Sequence, residues 1–540
     1  MLTNFVVLCL QVSCWDDSPI VATKLGRVQG ELRSSFSGKE YVAFEGIPYA
    51  QPPIGDLRFR DPLPAQEWSE ILKPKTTTCV QLSQSNTVIG TEDCLHLNVY
   101  TPSPKRHART NLDVVVHIHG GGFSTESSNS YVSPYFLLDT GIILVTINFR
   151  LGILGFLSTE DELIPGNFGL KDQVLALQWI QDNINSFGGN PMSVTLTGLE
   201  SGAAAVHLHY FSPLSRNLFH RGISQSGTAL NHWALQKEPG AKAKKLAIIL
   251  DCPISDQMLE CLRGKSAEVL TEKTRVFQSQ MSIAPFGPVV EKVVTETTFL
   301  HDHPYRLLLK GEFADVPWVV SNVADEGAEF VKSNRFDYLE DMFGFLGVHM
   351  SRIKMLWKMS APIIFDFRHS IANNKWNHVS GEIYNFYINK LNVPVINGKI
   401  LAQMIGDRFF VVDTETAVRI QSKRSKSNVY YYRFQYATVG GQVSQGSDTR
   451  FMFPNASKTK PTKNDLLMME QFQSMLVSYA SDSLPKFNDA VWEPTEGDEI
   501  KYLEIISPTK LEMKTEVDLD TSEFWNGLGF RENQNLFRDD

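Results

Sequence analysis

The sequence predicts an α/β fold in which a central, mostly parallel β-sheet is flanked by helices. Two apolar runs rich in β-branched residues, at positions 114–119 and 141–148, are typical of buried central strands. Apolar residues at helical spacing follow over positions 167–184, and a further short β-run lies at positions 193–197. Strand, helix and strand in this order imply parallel strands, because a helical crossover returns the chain in its original direction.

Length and composition set the scale of this fold. The chain has 540 residues, of which 42% are hydrophobic, and this is enough for a large buried core. Length alone would suggest about three or four domains, but large α/β folds exceed that rule, and we expect residues 19–535 to form a single domain. The formal net charge is −9 and no long basic run is present, which argues against nucleic acid as a partner.

The N-terminus has the pattern of an export signal. An apolar run at positions 5–12 is followed by Ser13, Cys14 and then polar residues, which suits signal-peptide cleavage after Cys14. The run is too short to span a bilayer, and no other apolar run reaches eighteen residues. We therefore predict a signal peptide at residues 1–14 and a secreted protein without a transmembrane segment. A glycosylation sequon at Asn455 is consistent with export.

The segment ahead of the central strands is predicted to be β-rich. Short β-like runs cover positions 20–23 and 26–32, and a proline-punctuated surface turn covers positions 46–53. Positions 92–100 alternate enough between apolar and polar residues to form a strand.

A sharp turn from strand to helix is the most informative element of the chain. Positions 187–203 predict an approach turn, a short strand, a tight turn at Gly198 and a helix that opens at Gly202. A glycine on each side of one central residue is typical of the nucleophile elbow of α/β-hydrolases, whose pattern is G-x-S-x-G. Here the central residue is Glu200, and Ser201 lies one position beyond it, which aims the serine hydroxyl away from the pocket.

A glycine loop, residues 119–123, follows the first central strand. Three successive glycines leave backbone N–H groups uncovered, although such a loop taken alone could be only a tight turn. Combined with the elbow, the loop is better interpreted as an oxyanion-hole loop of the lipase and esterase type, whose N–H groups stabilise a developing alkoxide. The predicted donors are the N–H groups of Gly121, Gly122 and Ser201.

Cysteine usage is consistent with an exported protein. Removal of the signal would leave four cysteines, which fall into two pairs with short spacings. An even number of cysteines in an exported chain favours disulfides over buried free thiols. The expected pairs are Cys79–Cys94 and Cys252–Cys261.

Beyond these features, the chain resembles the type-B carboxylesterases, the cholinesterase-like branch of the α/β-hydrolases, over nearly its whole mature length. The amino-acid sequences of its motifs are most similar to those of insect esterases. The matching stretches, besides the elbow, are GIPYAQPP at 46–53, EDCLHLNVY at 92–100, HGGGF at 119–123, GNFGLKDQ at 166–173, GISQSGTA at 222–229 and PFGPVVE at 285–291.

The resemblance implies several structural pairings and requires no metal or cofactor. The two cysteine pairs fall where the family forms its disulfides. Two ion pairs that tie surface loops to the sheet should also be present, Arg58 with Glu92 and Arg150 with Asp172.

The resemblance further implies a Ser–Glu–His triad, in which the histidine takes the serine proton and the acid orients the imidazole. The acid position corresponds to Glu326 in the stretch VADEG at 323–327, although an acidic pair beside glycine is by itself usually a loop. The histidine position, in the stretch GQVSQGSD at 441–448, holds Gln445, and no histidine follows His378 in the chain. Together with Glu200, two of the three triad positions therefore depart from the pattern.

Three functions are compatible with this broken site. The first is a catalytically inactive binding protein for a protein partner or an apolar, ester-like small molecule. The second is a carboxylic ester hydrolase with a non-standard site. In the third, Glu200 acts as a carboxylate nucleophile that reacts once, because Gln445 cannot activate the water that would release the product.

The replacement at the elbow leads to one further expectation. A carboxylate at Glu200 should lie close to the donors Gly121, Gly122 and Ser201 at the N-terminus of a helix. We expect it to accept hydrogen bonds from that loop or from Gln445, so that the protein's own carboxylate occupies the oxyanion site.

Overall fold

The structure is a computed structural model, and it describes residues 18–102, 111–278, 283–332, 356–390, 396–438, 441–454, 461–517, 519 and 521–537. The predicted signal peptide at residues 1–14 and the sequon at Asn455 lie outside the described residues. Among the helices in the described ranges, none has the length and apolar character needed to cross a membrane.

The described residues form one large sheet and two small two-stranded sheets. The large sheet has eleven strands in the order β15-β14-β13-β12-β11-β10-β8-β9-β7-β4-β3. The strands are β1 (Ile20–Ala22), β2 (Arg27–Gln29), β3 (Glu31–Ser34), β4 (Glu40–Pro48), β5 (Gln81–Leu82), β6 (Val88–Ile89), β7 (His96–Pro102), β8 (Leu112–Ile118), β9 (Ile143–Ile147), β10 (Gly189–Leu199), β11 (Arg221–Gln225), β12 (Trp318–Val323), β13 (Val429–Phe434), β14 (Ile500–Ser507) and β15 (Lys510–Glu516).

The centre of the large sheet is parallel and its edges are antiparallel. All pairings from β9 through β14 are parallel, whereas β3, β4, β7 and β15 pair antiparallel. This confirms the predicted mostly parallel sheet. The carboxyl ends of the parallel strands share one edge, which is where ligand and catalytic sites of such sheets lie.

Helices cover the sheet and connect its parallel strands. In the described ranges they are α1 (Pro134–Leu137), α2 (Gly152–Phe156), α3 (Phe168–Asn183), α4 (Ser201–Phe211), α5 (Pro239–Ile249), α6 (Met258–Arg263), α7 (Ala267–Lys273), α8 (Arg275–Gln278), α9 (Pro304–Lys310), α10 (Ala328–Lys332), α11 (Trp357–Ile364), α12 (Trp376–Tyr384), α13 (Gly398–Gly406), α14 (Val412–Arg424), α15 (Thr449–Met452), α16 (Lys463–Asp482) and α17 (Ser522–Gly527).

Most predicted elements are present, and the elbow segment differs in its bounds. Strand β10 begins at Gly189 rather than near residue 193, because Gly189 pairs with Leu112 across an irregular register before the regular pairing starts at Val194. Helix α4 begins at Ser201, one residue earlier than expected, with Glu200 at its N-cap position. The predicted approach turn is therefore limited to Phe187, which ends a short 3-10 helix, and Gly188, whose φ is 89°, and residues 189–191 belong to the strand. The strand continues through Gly198 to Leu199, so the tight turn predicted at Gly198 lies at Glu200.

Both predicted disulfides are present. The Cα atoms of Cys79 and Cys94 are 5.0 Å apart, and those of Cys252 and Cys261 are 5.7 Å apart. Both separations lie within the range that a disulfide spans. The first bond joins two segments that lie outside the long strands, and the second ties the loop after α5 to Cys261 in helix α6.

The two expected ion pairs are also present. Arg58 Nη2 lies 2.6 Å from Glu92 Oε2, and Arg150 Nη2 lies 2.6 Å from Asp172 Oδ1. Arg150 also donates to the backbone carbonyl of Arg60, so the loop after β9 is fastened both to α3 and to the N-terminal segment. Pairs of this kind orient the loops at the carboxyl edge of the sheet.

Candidate functional site

The elbow between β10 and α4 presents Glu200 at its apex. Glu200 has φ 54° and ψ −114°, a strained conformation that residues with a side chain rarely adopt. Two close approaches allow the turn, because a Cβ at Gly198 would overlap the backbone of Gly202, and a Cβ at Gly202 would overlap the carbonyl oxygen of Ile118. The glycines on either side of Glu200 are thus required by the geometry of the turn.

The glycine loop after β8 donates two backbone hydrogen bonds to the Glu200 side chain. Gly121 N–H lies 2.8 Å and Gly122 N–H lies 3.0 Å from Glu200 Oε2. Both glycines have positive φ, 92° and 60°, which aims their N–H groups inward at one point. The expected contact between Glu200 and the loop is therefore present, and one carboxylate oxygen accepts hydrogen bonds from both loop N–H groups.

Ser201 is turned away from this point. Its side chain is fully buried, and its Oγ accepts a hydrogen bond of 3.2 Å from the N–H of Phe123. Among the described contacts, the Ser201 N–H does not donate to the Glu200 carboxylate, so the expected third donor is not used. The serine hydroxyl is therefore engaged by the backbone of the glycine loop.

Glu326 follows strand β12 and is held at the same edge of the sheet. Its Oε1 accepts hydrogen bonds from Ser226 Oγ at 2.8 Å and from Asn322 Nδ2 and Val323 N–H, both at 2.9 Å. Its Oε2 is buried and has no hydrogen-bond partner among the described residues. Burial raises the pKa of Glu326 to about 7, although the three donors oppose that shift.

Gln445 lies near the elbow but does not complete a hydrogen-bonded chain. Its loop packs beside the elbow, since a Cβ on Gly446 would lie 3.0 Å from Leu199 Cδ2. The Gln445 Nε2 is buried and has no partner among the described residues, so the alternative hydrogen bond from Gln445 to Glu200 is not formed. Within the described ranges, an unpaired donor on Gln445 and an unpaired acceptor on Glu326 thus lie at the positions where the sequence predicts the histidine and the acid of a triad.

Two residues of the site were not identified from the sequence. Ser226 and Asn322 orient Glu326, and both are buried. Ser226 lies in the GISQSGTA stretch, which matches the carboxylesterases and could therefore have marked it as a site residue. Its positive φ of 54° is a second indication, which only the structure provides. Asn322 had no signal, because its hydrogen bond to Glu326, four residues further on, depends on how the chain turns after β12.

The rim of the site carries a tyrosine and a second carboxylate. The Tyr131 hydroxyl donates to Glu126 Oε1 at 3.1 Å, and Tyr131 is half exposed. Burial of its inner part raises the pKa of Tyr131 to about 12, and the charges of Glu126 and Glu200 act in the same direction. Among the described residues, no three His, Cys, Asp or Glu side chains group as metal ligands.

The histidines near the loop do not substitute for the missing base. His117 bonds Thr197 Oγ1 at 3.0 Å, and His119 bonds its neighbour's carbonyl at 3.0 Å while stacking on Phe149. Both are buried, and burial lowers the pKa of His117 to about 3 and that of His119 to about 4. Such weakly basic, enclosed rings are suited to packing the core.

Comparison with known proteins gives a consistent result. Residues 17–525 match the model of the carboxylesterase family. The chain is 36% identical to a carboxylic ester hydrolase of Bombus ignitus and 35% identical to venom carboxylesterase-6 of Apis mellifera, in each case over 96% of both chains. It is also 32% identical to a juvenile hormone esterase of Tribolium castaneum, over 96% of this chain and 94% of the relative.

Among solved structures, the fold is similar to that of the juvenile hormone esterase of Manduca sexta, which was solved with OTFP covalently attached. The TM-score is 0.82 and the identity is 25%, over 95% of this chain and 99% of the other.

Proposed function

Because the chain belongs to the carboxylesterase family, we propose that it is a member without hydrolytic activity that acts as a binding protein. The observation that carries the proposal is the pair of hydrogen bonds from Gly121 and Gly122 to Glu200 Oε2. In an acyl-transfer enzyme those N–H groups stabilise the substrate's oxyanion. Here an attached carboxylate competes for them at very high effective concentration.

The absence of a nucleophile and a base supports the same conclusion. Glu200 stands where the family has serine, and Gln445 stands where it has histidine. Loss of either group in a serine hydrolase costs roughly 10⁶-fold in kcat, and loss of both costs little more, because the two act together. Gln445, at the histidine position, neither ionises nor accepts a proton. Within the described ranges, Oε2 of Glu326 is correspondingly left without a hydrogen-bond partner.

The ligand class follows from what the site retains. The fold and the elbow are kept, so the ligand that we favour is an apolar, ester-like small molecule that is bound without being cleaved, and a protein partner is the alternative. The relatives named for esters and for juvenile hormone support the first of these. Two disulfides and a relative named for venom support secretion, with residues 1–14 as the signal.

The test begins with the unaltered protein, made in a host that lacks other esterases. We expect no turnover of p-nitrophenyl acetate above background and no labelling of Ser201 by an organophosphate probe. Turnover together with a Ser201 adduct would contradict the proposal. A single stable adduct on Glu200 with an alkylating reagent, without turnover, would favour the carboxylate nucleophile instead.

A reverse substitution tests the reason for inactivity. The variant Glu200→Ser with Ser201→Ala and Gln445→His should free both loop donors and supply a base that Glu326 can orient. We expect it to regain measurable hydrolysis of short-chain esters. The matched control, Glu200→Ser with Ser201→Ala alone, should remain inactive because it still lacks a base. A folded but inert triple variant would show that the loss involves more of the pocket than these positions.

A further inference from the structure

A cavity lies against helix α5, and none of the elbow residues described above lines it. It has a volume of about 140 Å³, and its walls include the rings of Trp233 and Phe277 and the side chains of Leu235 and Ala284. Three lysines also line it, Lys237, Lys242 and Lys245. The cavity therefore combines apolar walls with several ammonium groups.

The carboxylates of this cavity already have partners. Asp366 Oδ2 lies 3.1 Å from Lys237 Nζ, and Lys237 also lies 3.6 Å from Glu532. Glu238 Oε2 lies 3.5 Å from His369 Nδ1. The acids that line the cavity are thus engaged with Lys237 and His369.

Lys242 differs from Lys237 in having no carboxylate partner within 4 Å among the described residues. Its Nζ donates one hydrogen bond, 2.7 Å long, to the carbonyl of Pro285, and lies 6.0 Å from the centroid of the Phe286 ring. An ammonium group has three N–H donors, so two remain for another acceptor. Burial lowers the pKa of Lys242 to about 8, and the charge of Lys237 acts in the same direction, although the charges of Asp366 and Glu238 oppose the shift.

Lys245 adds a second cation without a carboxylate partner in the described ranges. Its Nζ lies 5.2 Å above the ring of Phe277, a cation–π contact at the exposed rim of the cavity. It can therefore approach an anion bound at Lys242 from the solvent side.

We propose that this cavity binds a small organic anion with an aromatic or apolar body, whose carboxylate or sulfonate pairs with Lys242. The body of the ligand packs on Trp233 and Phe277, and Lys245 closes the charged end. His232, on the cavity wall, is neutral because burial holds its pKa well below its usual range. It therefore does not compete with Lys242 for the anion. The site is independent of the elbow and of the proposed loss of hydrolysis.

Calorimetric titration with benzoate, a small aromatic anion, as the probe tests the site. The unaltered protein should bind benzoate at one saturable site and should not bind benzyl alcohol. Lys242→Met should weaken binding about tenfold or more, since a charge-assisted hydrogen bond is lost. Lys242→Arg should retain most of the affinity. Lys244→Met, an exposed neighbour on the same helix, is the matched control and should bind as the unaltered protein does.

A second measurement requires no variant and remains decisive if Lys242→Met fails to fold. With limiting acetic anhydride at pH 8, peptide mapping should show acetylation of Lys242, because its lowered pKa leaves a large share of its amine unprotonated. Bound benzoate stabilises the ammonium form and covers it, so it should slow acetylation at Lys242 several-fold and leave Lys244 unchanged. Equal probe affinity in Lys242→Met and Lys244→Met, or acetylation of Lys242 that benzoate does not slow, would overturn the proposal.

Discussion

Glu200 combines a strained backbone with a side chain that bonds the glycine loop. Its backbone keeps the elbow conformation, while one oxygen of its carboxylate accepts hydrogen bonds from both loop N–H groups. Glu326 is a second carboxylate at this edge of the sheet, and within the described ranges its Oε2 is buried without a hydrogen-bond partner. A buried carboxylate that lacks its usual partner is expected to destabilise the protein most strongly when it is ionised.

Glu326 therefore leads to a prediction about pH. Its pKa is raised from 4.5 to about 7 in the folded protein. Between those pH values the folded state keeps a proton that the unfolded state releases, so the free energy of unfolding falls as pH rises, by up to about 3 kcal/mol. Glu326→Gln removes this titration. The free energy of unfolding of Glu326→Gln, minus that of the unaltered protein, should increase by a similar amount from pH 4.5 to 7.5.

Urea denaturation across that pH range measures the difference, in which all other titrating groups cancel. Circular dichroism at pH 5 serves as the control for a native fold. A difference that stays flat with pH would show that Glu326 is not the buried, unpaired acid described above.

At the scale of elements, the site is made by two turns that meet. The loop after β8 and the turn between β10 and α4 are brought together because β8 and β10 are neighbours in the parallel sheet. The contact is close enough that Gly202 has no space for a side chain against Ile118 and His119. The glycine is needed for packing as much as for backbone conformation.

Gly202→Ala should consequently disrupt both turns. Its Cβ would overlap backbone atoms, which cannot move as a side chain can, and we expect a loss of about 1–3 kcal/mol or more in the free energy of unfolding. Gly381→Ala, within helix α12, is the control, because no atom lies within 4 Å of its Cβ position. That change should be neutral or stabilise by up to about 1 kcal/mol. Thermal unfolding of the two variants decides, and equal melting temperatures would contradict the close approach.

For the whole molecule, buried ion pairs and disulfides fasten the loops on which the site depends. The Arg150–Asp172 pair is nearly inaccessible to solvent, with side-chain exposures of 4% and 0%. Asp172 accepts hydrogen bonds from both the side chain and the backbone N–H of Arg150. The surface pair Lys24–Asp182 has exposures of 64% and 41% and lacks such support.

These two pairs should respond very differently to loss of the cation. Arg150→Met leaves Asp172 buried and uncompensated, and should cost about 3–5 kcal/mol in the free energy of unfolding. Lys24→Met should change it by less than about 1 kcal/mol, because exposed pairs are screened by water and salt. Denaturant titration of both variants gives the comparison. Adding Asp172→Leu to Arg150→Met should recover part of the loss, and a failure to recover any would indicate that Arg150 acts through packing alone.

The sequence by itself determined the fold class, the elbow and the identity of the residues at the triad positions. These features depend on local spacing. The relevant patterns are apolar runs of strand length, a glycine two residues before and another two residues after Glu200, and short motifs around Glu326 and Gln445. The bounds of β10 and α4 differ from the predicted ones. The strand starts earlier because Gly189 pairs with a neighbouring strand across a register shift, and the helix starts earlier because its first turn is held against that sheet.

Only the tertiary structure decided how the replaced side chains behave. Whether Glu200 accepts from the glycine loop or from Gln445 depends on backbone N–H directions some eighty residues away in the chain, and every residue type carries the same N–H. Within the described ranges, the unpaired Oε2 of Glu326 and the lack of a carboxylate partner for the Lys242 ammonium likewise cannot be predicted from the sequence. A group lacks a partner because of where all the others lie, and that is a property of the folded chain alone.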